Sequence, residues 1–128
     1  MTAASPQTPT FPKEAPDVAP DIRPIRAAMG LSRERMARIL DVSAKTVERW
    51  EARGTLPPIH NRALNHRLAQ LREIVELGLI VYTPEGFRLF LTAEMPVFDG
   101  KNALEFLEHD RGEAVFGALA GDYEGIGF

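Results

Sequence analysis

The sequence predicts an all-α protein in which a helix-turn-helix unit precedes a smaller helical domain. Three observations support this fold class. Apolar residues recur at helical spacing, Asp or Ser residues able to cap helix N-termini stand before these segments, and the second and third segments are separated by only two residues. Two short helices with so tight a junction must turn sharply, as in a helix-turn-helix.

The first 18 residues predict a disordered tail, because proline recurs there among Thr, Ser, Ala and Gln and little apolar surface offsets the ordering entropy. We assign residues 19–58 to the helix-turn-helix unit and 59–128 to the second domain. The longest nearly unbroken apolar run spans residues 77–82, whereas a bilayer span needs about 20 residues. There is also no signal-peptide core and no cysteine. We therefore expect a cytoplasmic protein that does not contact membranes and has no disulfides.

Charge is distributed unevenly along the chain. Residues 21–57 hold eight basic and five acidic side chains, whereas residues 83–128 hold three basic and nine acidic ones. The net charge of −3 conceals this division. A basic first half and an acidic second half indicate two different partners, and nucleic acid is the candidate for the basic half.

The helix-turn-helix unit has a capping residue at each expected boundary. Asp21 is the predicted N-cap of the first helix, which Gly30 ends in a left-handed conformation. Ser32 caps a second helix and Ser43 a third. The inward positions of the second helix are Met36, Ala37 and Leu40.

A helical wheel of the third helix places Val47 and Trp50 inward, with basic residues outward. Lys45, Thr46 and Arg49 can reach base edges in a DNA major groove, while Ser32, Arg33 and the helix N-termini contact phosphates. The candidate DNA-contacting residues are Ser32, Arg33, Ser43, Lys45, Thr46 and Arg49. The alternative is a merely solvated face, and outward-facing Glu48 would repel phosphates unless it accepts a hydrogen bond from a cytosine amino group.

Residues 29–54 resemble the Xre (Cro/repressor-type) helix-turn-helix family. The likeness is carried by Gly-Leu-Ser at 30–32, by Ala37 five residues before Val42, and by Trp50-Glu51 close to a glycine. The chain departs from the family at Asp41, where glycine is common, although Asp tolerates the left-handed conformation. The resemblance implies DNA binding, which we expect from a homodimer on an inverted repeat.

A long amphipathic helix is predicted from His60 to Gly78, with its leucines on one face. That face either covers the C-terminal core or pairs with a second copy. Thr83 and Pro84 then begin another helix. A turn at Asp99 and Gly100 leads into helices over residues 101–108 and 112–119. Three glycines among residues 121–128 make a stable helix improbable at the C-terminus.

The order of these elements resembles the C-terminal toxin-binding domain of Xre/MbcA/ParS-type antitoxins. The matching residues are 90–92, 95–107, 110–112, Val115, Leu119, Tyr123 and Gly125. Phe90 stands where the family has tryptophan, Ala103 where it has proline, and Glu124 separates a usual Tyr-Gly pair. The resemblance implies an antitoxin of a type II toxin–antitoxin system, not an enzyme and without a cofactor. Its toxin would usually be of the RES class, which consumes NAD.

The resemblance also implies that the C-terminal end lies in or near the toxin's active site. Asp122, Glu124 and the terminal carboxylate would then face basic groups, while Tyr123, Ile126 and Phe128 fill apolar pockets. The alternative is that this end folds back onto its own domain. The alternative function is a free-standing Xre-type repressor whose second domain only dimerises.

Two further interpretations rest on histidines. His60 and His66 are six residues apart and do not share a helix face, so we expect no metal site. A small hydrolase using His109 and Asp110 is a third functional class, although no serine, histidine and carboxylate are spaced to suggest a triad.

Overall fold

A computed structural model describes residues 21–126, except for the side chain of Ile126. The predicted disordered tail lies outside these residues, as does Phe128. Within the described range every regular secondary-structure element is a helix, which confirms the predicted fold class. The helices are α1 (Ile22–Met29), α2 (Arg33–Leu40), α3 (Ala44–Arg53), α4 (Arg62–Val81), α5 (Pro84–Thr92), α6 (Ala103–Glu108) and α7 (Gly112–Ile126), with a short 3-10 turn at Pro96–Phe98.

The three N-terminal helices begin at the predicted caps. Asp21 accepts a hydrogen bond from the backbone of Arg23, and the Ser32 and Ser43 hydroxyls cap α2 and α3 in the same way. Asp41 ends α2 in the left-handed region at φ 61°. Asp41, at a position where the Xre family often has glycine, therefore has the left-handed backbone conformation that was expected.

The predicted end of α4 at Gly78 is wrong, because the helix continues to Val81. Gly78 is buried within the helix, and a Cβ atom there would collide with the ring of Phe87 in α5. This glycine therefore allows close packing of two helices instead of ending one. Leu71, Ile74 and Val75 of the apolar stripe lie in the core, which is one of the two alternatives left open by the sequence.

The predicted non-helical C-terminal end is also wrong, because α7 continues beyond residue 119 to Ile126. Tertiary contacts explain the difference. A Cβ on Gly112 would collide with Gln70 of α4, and the Tyr82 hydroxyl donates a hydrogen bond of 2.5 Å to Asp122. The helix therefore runs alongside α4 in the same direction, and this packing outweighs the cost of about 1 kcal/mol for each helical glycine.

One hydrophobic cluster runs through both halves of the described chain. Helix α1 packs against α4 and α5, and α2 packs against α6. The C-terminal part of the cluster is aromatic: the rings of Phe90 and Phe98 lie 6.1 Å apart, and those of Phe98 and Phe106 lie 5.0 Å apart. The N-terminal helices α1 and α2 thus pack directly against the C-terminal helices. None of the described helices is long and apolar enough to cross a membrane.

Candidate functional site

The outward face of α3 is arranged as the sequence predicted. Val47 and Trp50 are buried, while Lys45, Glu48 and Arg49 are exposed. The buried pair attaches α3 to the core, so the charged side chains project from a well-supported helix. The charged side chains of this face are therefore accessible to a binding partner.

Hydrogen bonds link the polar residues along this face. The hydroxyls of Ser43 and Thr46 lie 2.9 Å apart, and an Arg49 guanidinium nitrogen donates to the Thr46 hydroxyl at 3.3 Å. On the other flank, the Lys45 ammonium lies 3.6 Å from a Glu48 carboxylate oxygen. Arg49 is thus held by the Thr46 hydroxyl, whereas Lys45 lies beside an acidic side chain.

The predicted phosphate-contacting residues have structural contacts as well. Ser32 caps α2, and its hydroxyl accepts from the backbone N–H of Arg35 at 3.1 Å. The Arg33 Nε donates to Glu51 at 2.9 Å while 47% of its side chain stays exposed. Arg33 is therefore oriented by an intramolecular partner and remains accessible to a phosphate.

Sequence reasoning missed the part that Glu51 plays in this unit. Its side chain is only 3% exposed and accepts from Arg26 Nε at 2.5 Å as well as from Arg33. Arg26 also donates to the Leu31 carbonyl at 3.0 Å. These contacts join α3 to α1 and to the segment that precedes α2. The available signal was an acid next to the inward-facing Trp50 in a mostly basic segment.

The charge of Glu51 is stabilised in the folded protein. The hydrogen bond from Arg26 is the largest cause lowering the pKa of Glu51, and Arg33 lowers it further against the opposing effect of burial. The same hydrogen bond raises the pKa of Arg26. Both partners therefore stay ionised at neutral pH.

The C-terminal end of α7 is the second candidate site. Asp122, Tyr123 and Glu124 are all exposed, with Tyr123 at 49%. Burial, followed by the hydrogen bond to Asp122, raises the pKa of Tyr82 to about 12. Asp122 thus has a hydrogen-bond partner within the chain, whereas Tyr123 and Glu124 are exposed to solvent.

A charged seam connects the two halves. Glu108 of α6 lies 2.7 Å from Arg35 and 3.4 Å from Arg38, both in α2. Arg67 of α4 donates to the Ile39 carbonyl at 3.2 Å and lies 3.4 Å from Asp110. These contacts fix the position of the helix-turn-helix unit relative to the C-terminal helices.

The two residues considered for a hydrolase have structural contacts. Asp110 pairs with Arg67, and the His109 ring nitrogen Nδ1 lies 2.8 Å from the Glu105 carbonyl. Neither contact links the two side chains to each other. Among residues 21–126, no three His, Asp or Glu side chains are grouped so that they could hold a metal ion.

Comparison with solved structures identifies a class of fold. The chain superposes on one chain of the crystal structure of the Mycobacterium tuberculosis MbcT–MbcA toxin–antitoxin complex with a TM-score of 0.64. The match covers 84% of this chain and 94% of the other, at 18% identity. At this identity the match establishes a shared helical fold.

Comparison with curated proteins points to a particular relative. The chain is 29% identical over 112 residues to the probable mycobacterial cidal antitoxin Rv3188 of Mycobacterium tuberculosis strain H37Rv, covering 88% of this chain and 90% of the relative. No protein-family model matches the chain. The similarity to this relative confirms the resemblance to MbcA-type antitoxins inferred from the sequence, and the superposition confirms the fold.

Proposed function

We propose that this chain is the antitoxin of a type II toxin–antitoxin pair, that it binds and inhibits a cognate toxin, and that it represses its own operon by binding DNA. The observation that carries the proposal is the match with a probable antitoxin over 88% of this chain and 90% of the relative. The similarity therefore includes both the helix-turn-helix unit and the C-terminal helices. The protein itself is not an enzyme in this proposal.

The toxin-binding residues are proposed to lie at the end of α7 and beyond it. They are Asp122, Tyr123, Glu124, Ile126 and Phe128. The exposure of the first three supports this, because carboxylates and an aromatic ring on one helical end can meet basic and apolar groups together. A RES-type, NAD-consuming toxin is a suitable partner for this end. Its active site needs basic groups to hold the pyrophosphate of NAD, and the carboxylates of Asp122 and Glu124 could pair with those groups.

Operator binding is proposed to use the outward face of α3 and the flanking helix N-termini. The contacting residues are Ser32, Arg33, Ser43, Lys45, Thr46 and Arg49. One recognition helix reads few base pairs, so we propose a homodimer on an inverted repeat with half-sites about 34 Å apart. The cytoplasm is the compartment in which both partners would be available.

A second candidate function is a repressor whose C-terminal helices serve only to dimerise. Exposed apolar side chains favour it, because Ile80 of α4 is 49% exposed and Leu89 of α5 is 68% exposed. The two candidates differ in one respect. Only an antitoxin abolishes the toxicity of a neighbouring gene product.

Coexpression tests the proposal. The protein encoded by the neighbouring reading frame is induced alone and together with the full chain, and growth is measured. We expect arrest without the chain, growth with it, and copurification of the two proteins. A neighbouring product that is harmless alone, or toxic in both strains without copurifying, would contradict the antitoxin function and favour the repressor.

A further inference from the structure

Glu48 is an acidic residue on the outward face of α3, where the other charged side chains are basic. Its side chain is 54% exposed, and its ion pair with Lys45 is long, at 3.6 Å. The other exposed residues of this face are Lys45, Arg49, Ala52 and Arg53. A carboxylate facing DNA is repelled by phosphates, so it weakens binding unless a base offers it a donor.

The two flanks of the face are held differently. Arg49 is fixed by its hydrogen bond to Thr46, and Thr46 in turn lies against the Ser43 hydroxyl. Glu48 is restrained only loosely by Lys45, because exposed ion pairs of this kind are weak. Glu48 can therefore exchange Lys45 for another hydrogen-bond donor at little cost.

The chemistry of base edges suggests what that donor is. In the major groove guanine presents two acceptors, which match an arginine, and cytosine presents an amino donor, which matches a carboxylate. Glu48 and Arg49 are successive residues and project about 100° apart around the helix, so they reach different bases.

We propose that Glu48 is a specificity-determining residue that accepts a hydrogen bond from a cytosine amino group, beside a guanine read by Arg49. This inference rests on the proposed operator binding. Lys45, which Glu48 exchanges for the base, then contacts a neighbouring phosphate, and the Thr46 hydroxyl orients Arg49. The operator half-site contains both a cytosine and a guanine in the segment that faces α3.

Selection from a library of double-stranded DNA with a randomised centre tests this inference. The full chain is compared with Glu48→Ala, Glu48→Gln and the control Glu73→Gln, which removes the same charge from an exposed position on α4. Selected duplexes are sequenced, and affinity for an unselected duplex is measured at several salt concentrations. Because Glu48 is exposed, all variants should fold, which circular dichroism verifies.

We expect the parent and the control to enrich one half-site containing both bases. In the Glu48→Ala variant the preference for cytosine at its position should fall by about fivefold or more, while the preference for guanine stays unchanged. This variant should also bind unselected duplex more tightly. Glu48→Gln should shift the preference from cytosine towards adenine, since Gln pairs with adenine.

Two results would overturn the inference in distinguishable ways. If the parent enriches a half-site and both Glu48 variants enrich the same one, DNA binding stands and Glu48 does not determine specificity. If the parent enriches no sequence, the proposed operator binding fails, and the assignment of Glu48 fails with it.

Discussion

The helix-turn-helix unit and the C-terminal helices share one core, but their exposed surfaces differ in charge and polarity. The first unit is held by polar contacts around Glu51 and exposes a mainly basic helix face. The second is held by an aromatic cluster and exposes apolar side chains beside an acidic helix end. The shared interior joins the two halves. Their different exposed surfaces fit the two proposed partners, which are DNA and a toxin protein.

The shared core predicts that the two halves unfold together. Trp50→Ala in the first half and Phe98→Ala in the second should each cost about 3–5 kcal/mol, because both remove a large buried ring. Each variant should show a single, shifted unfolding transition in urea. The exposed Leu89→Ala is the control and should change little. Two separate transitions, one of them unshifted, would show that the two halves unfold independently and would contradict the shared core.

The polar contacts around Glu51 in the first half predict that the stability of the protein depends on pH in the acid range. Glu51→Gln should cost about 1.5–3 kcal/mol at neutral pH, since the buried acceptor of hydrogen bonds from Arg26 and Arg33 loses its charge. The folded-state pKa of Glu51 lies below the ordinary 4.5, so its stabilisation is present above that pH and is lost as the pH falls further.

Urea unfolding of the parent and the variant from pH 7 to pH 3 measures this effect. The stability difference between them should shrink at the acid end. Glu73→Gln, at an exposed position, is the matched control. A difference that stays constant over the whole range would show that the Glu51 charge does not stabilise the fold.

The basic surface predicts a defect confined to DNA binding. Arg49→Ala should weaken binding to a selected operator by about 1–3 kcal/mol, because a bidentate contact to guanine is lost. Lys101→Ala, which removes an exposed charge from the C-terminal half, is the control. Equal affinities of the parent and Arg49→Ala for the operator, measured by gel shift at fixed salt, would show that Arg49 does not contact the DNA.

The C-terminal end predicts the smallest effect. Tyr82→Phe removes the hydrogen bond to Asp122 and should cost about 1 kcal/mol or less, concentrated in the last turns of α7. Hydrogen exchange should speed up at backbone amides near residue 122 and stay unchanged in α3. Unchanged exchange at both places would mean that the tyrosine does not anchor this helical end.

Local signals in the sequence predicted most of the first half. Caps at Asp21, Ser32 and Ser43 and the inward positions Val47 and Trp50 depend on residues close in the chain, and all five were predicted correctly. The candidate DNA-binding face follows from the same helical periodicity. Its contacts with DNA stay a prediction.

Features that depend on distant residues were not predictable in this way. Glu51 meets Arg26, 25 residues earlier, and Asp122 meets Tyr82, 40 residues earlier. The glycines near the C-terminus argued against a helix, yet the α4 surface supports one there. Intrinsic propensity is weak compared with such packing, so the helix that carries the second candidate site was not predicted, and the contacts of that site with a toxin stay a prediction.

The central claim is that two different surfaces of one molecule, the outward face of α3 and the end of α7, engage two partners independently. A single strain with an operator–reporter fusion and an inducible toxin from the neighbouring frame tests it, with repression and growth measured together. We predict that Arg49→Ala loses repression but still protects from the toxin, whereas deletion of residues 121–128 keeps repression but no longer protects. Loss of both activities in either variant, or protection by the truncated chain, would contradict the claim.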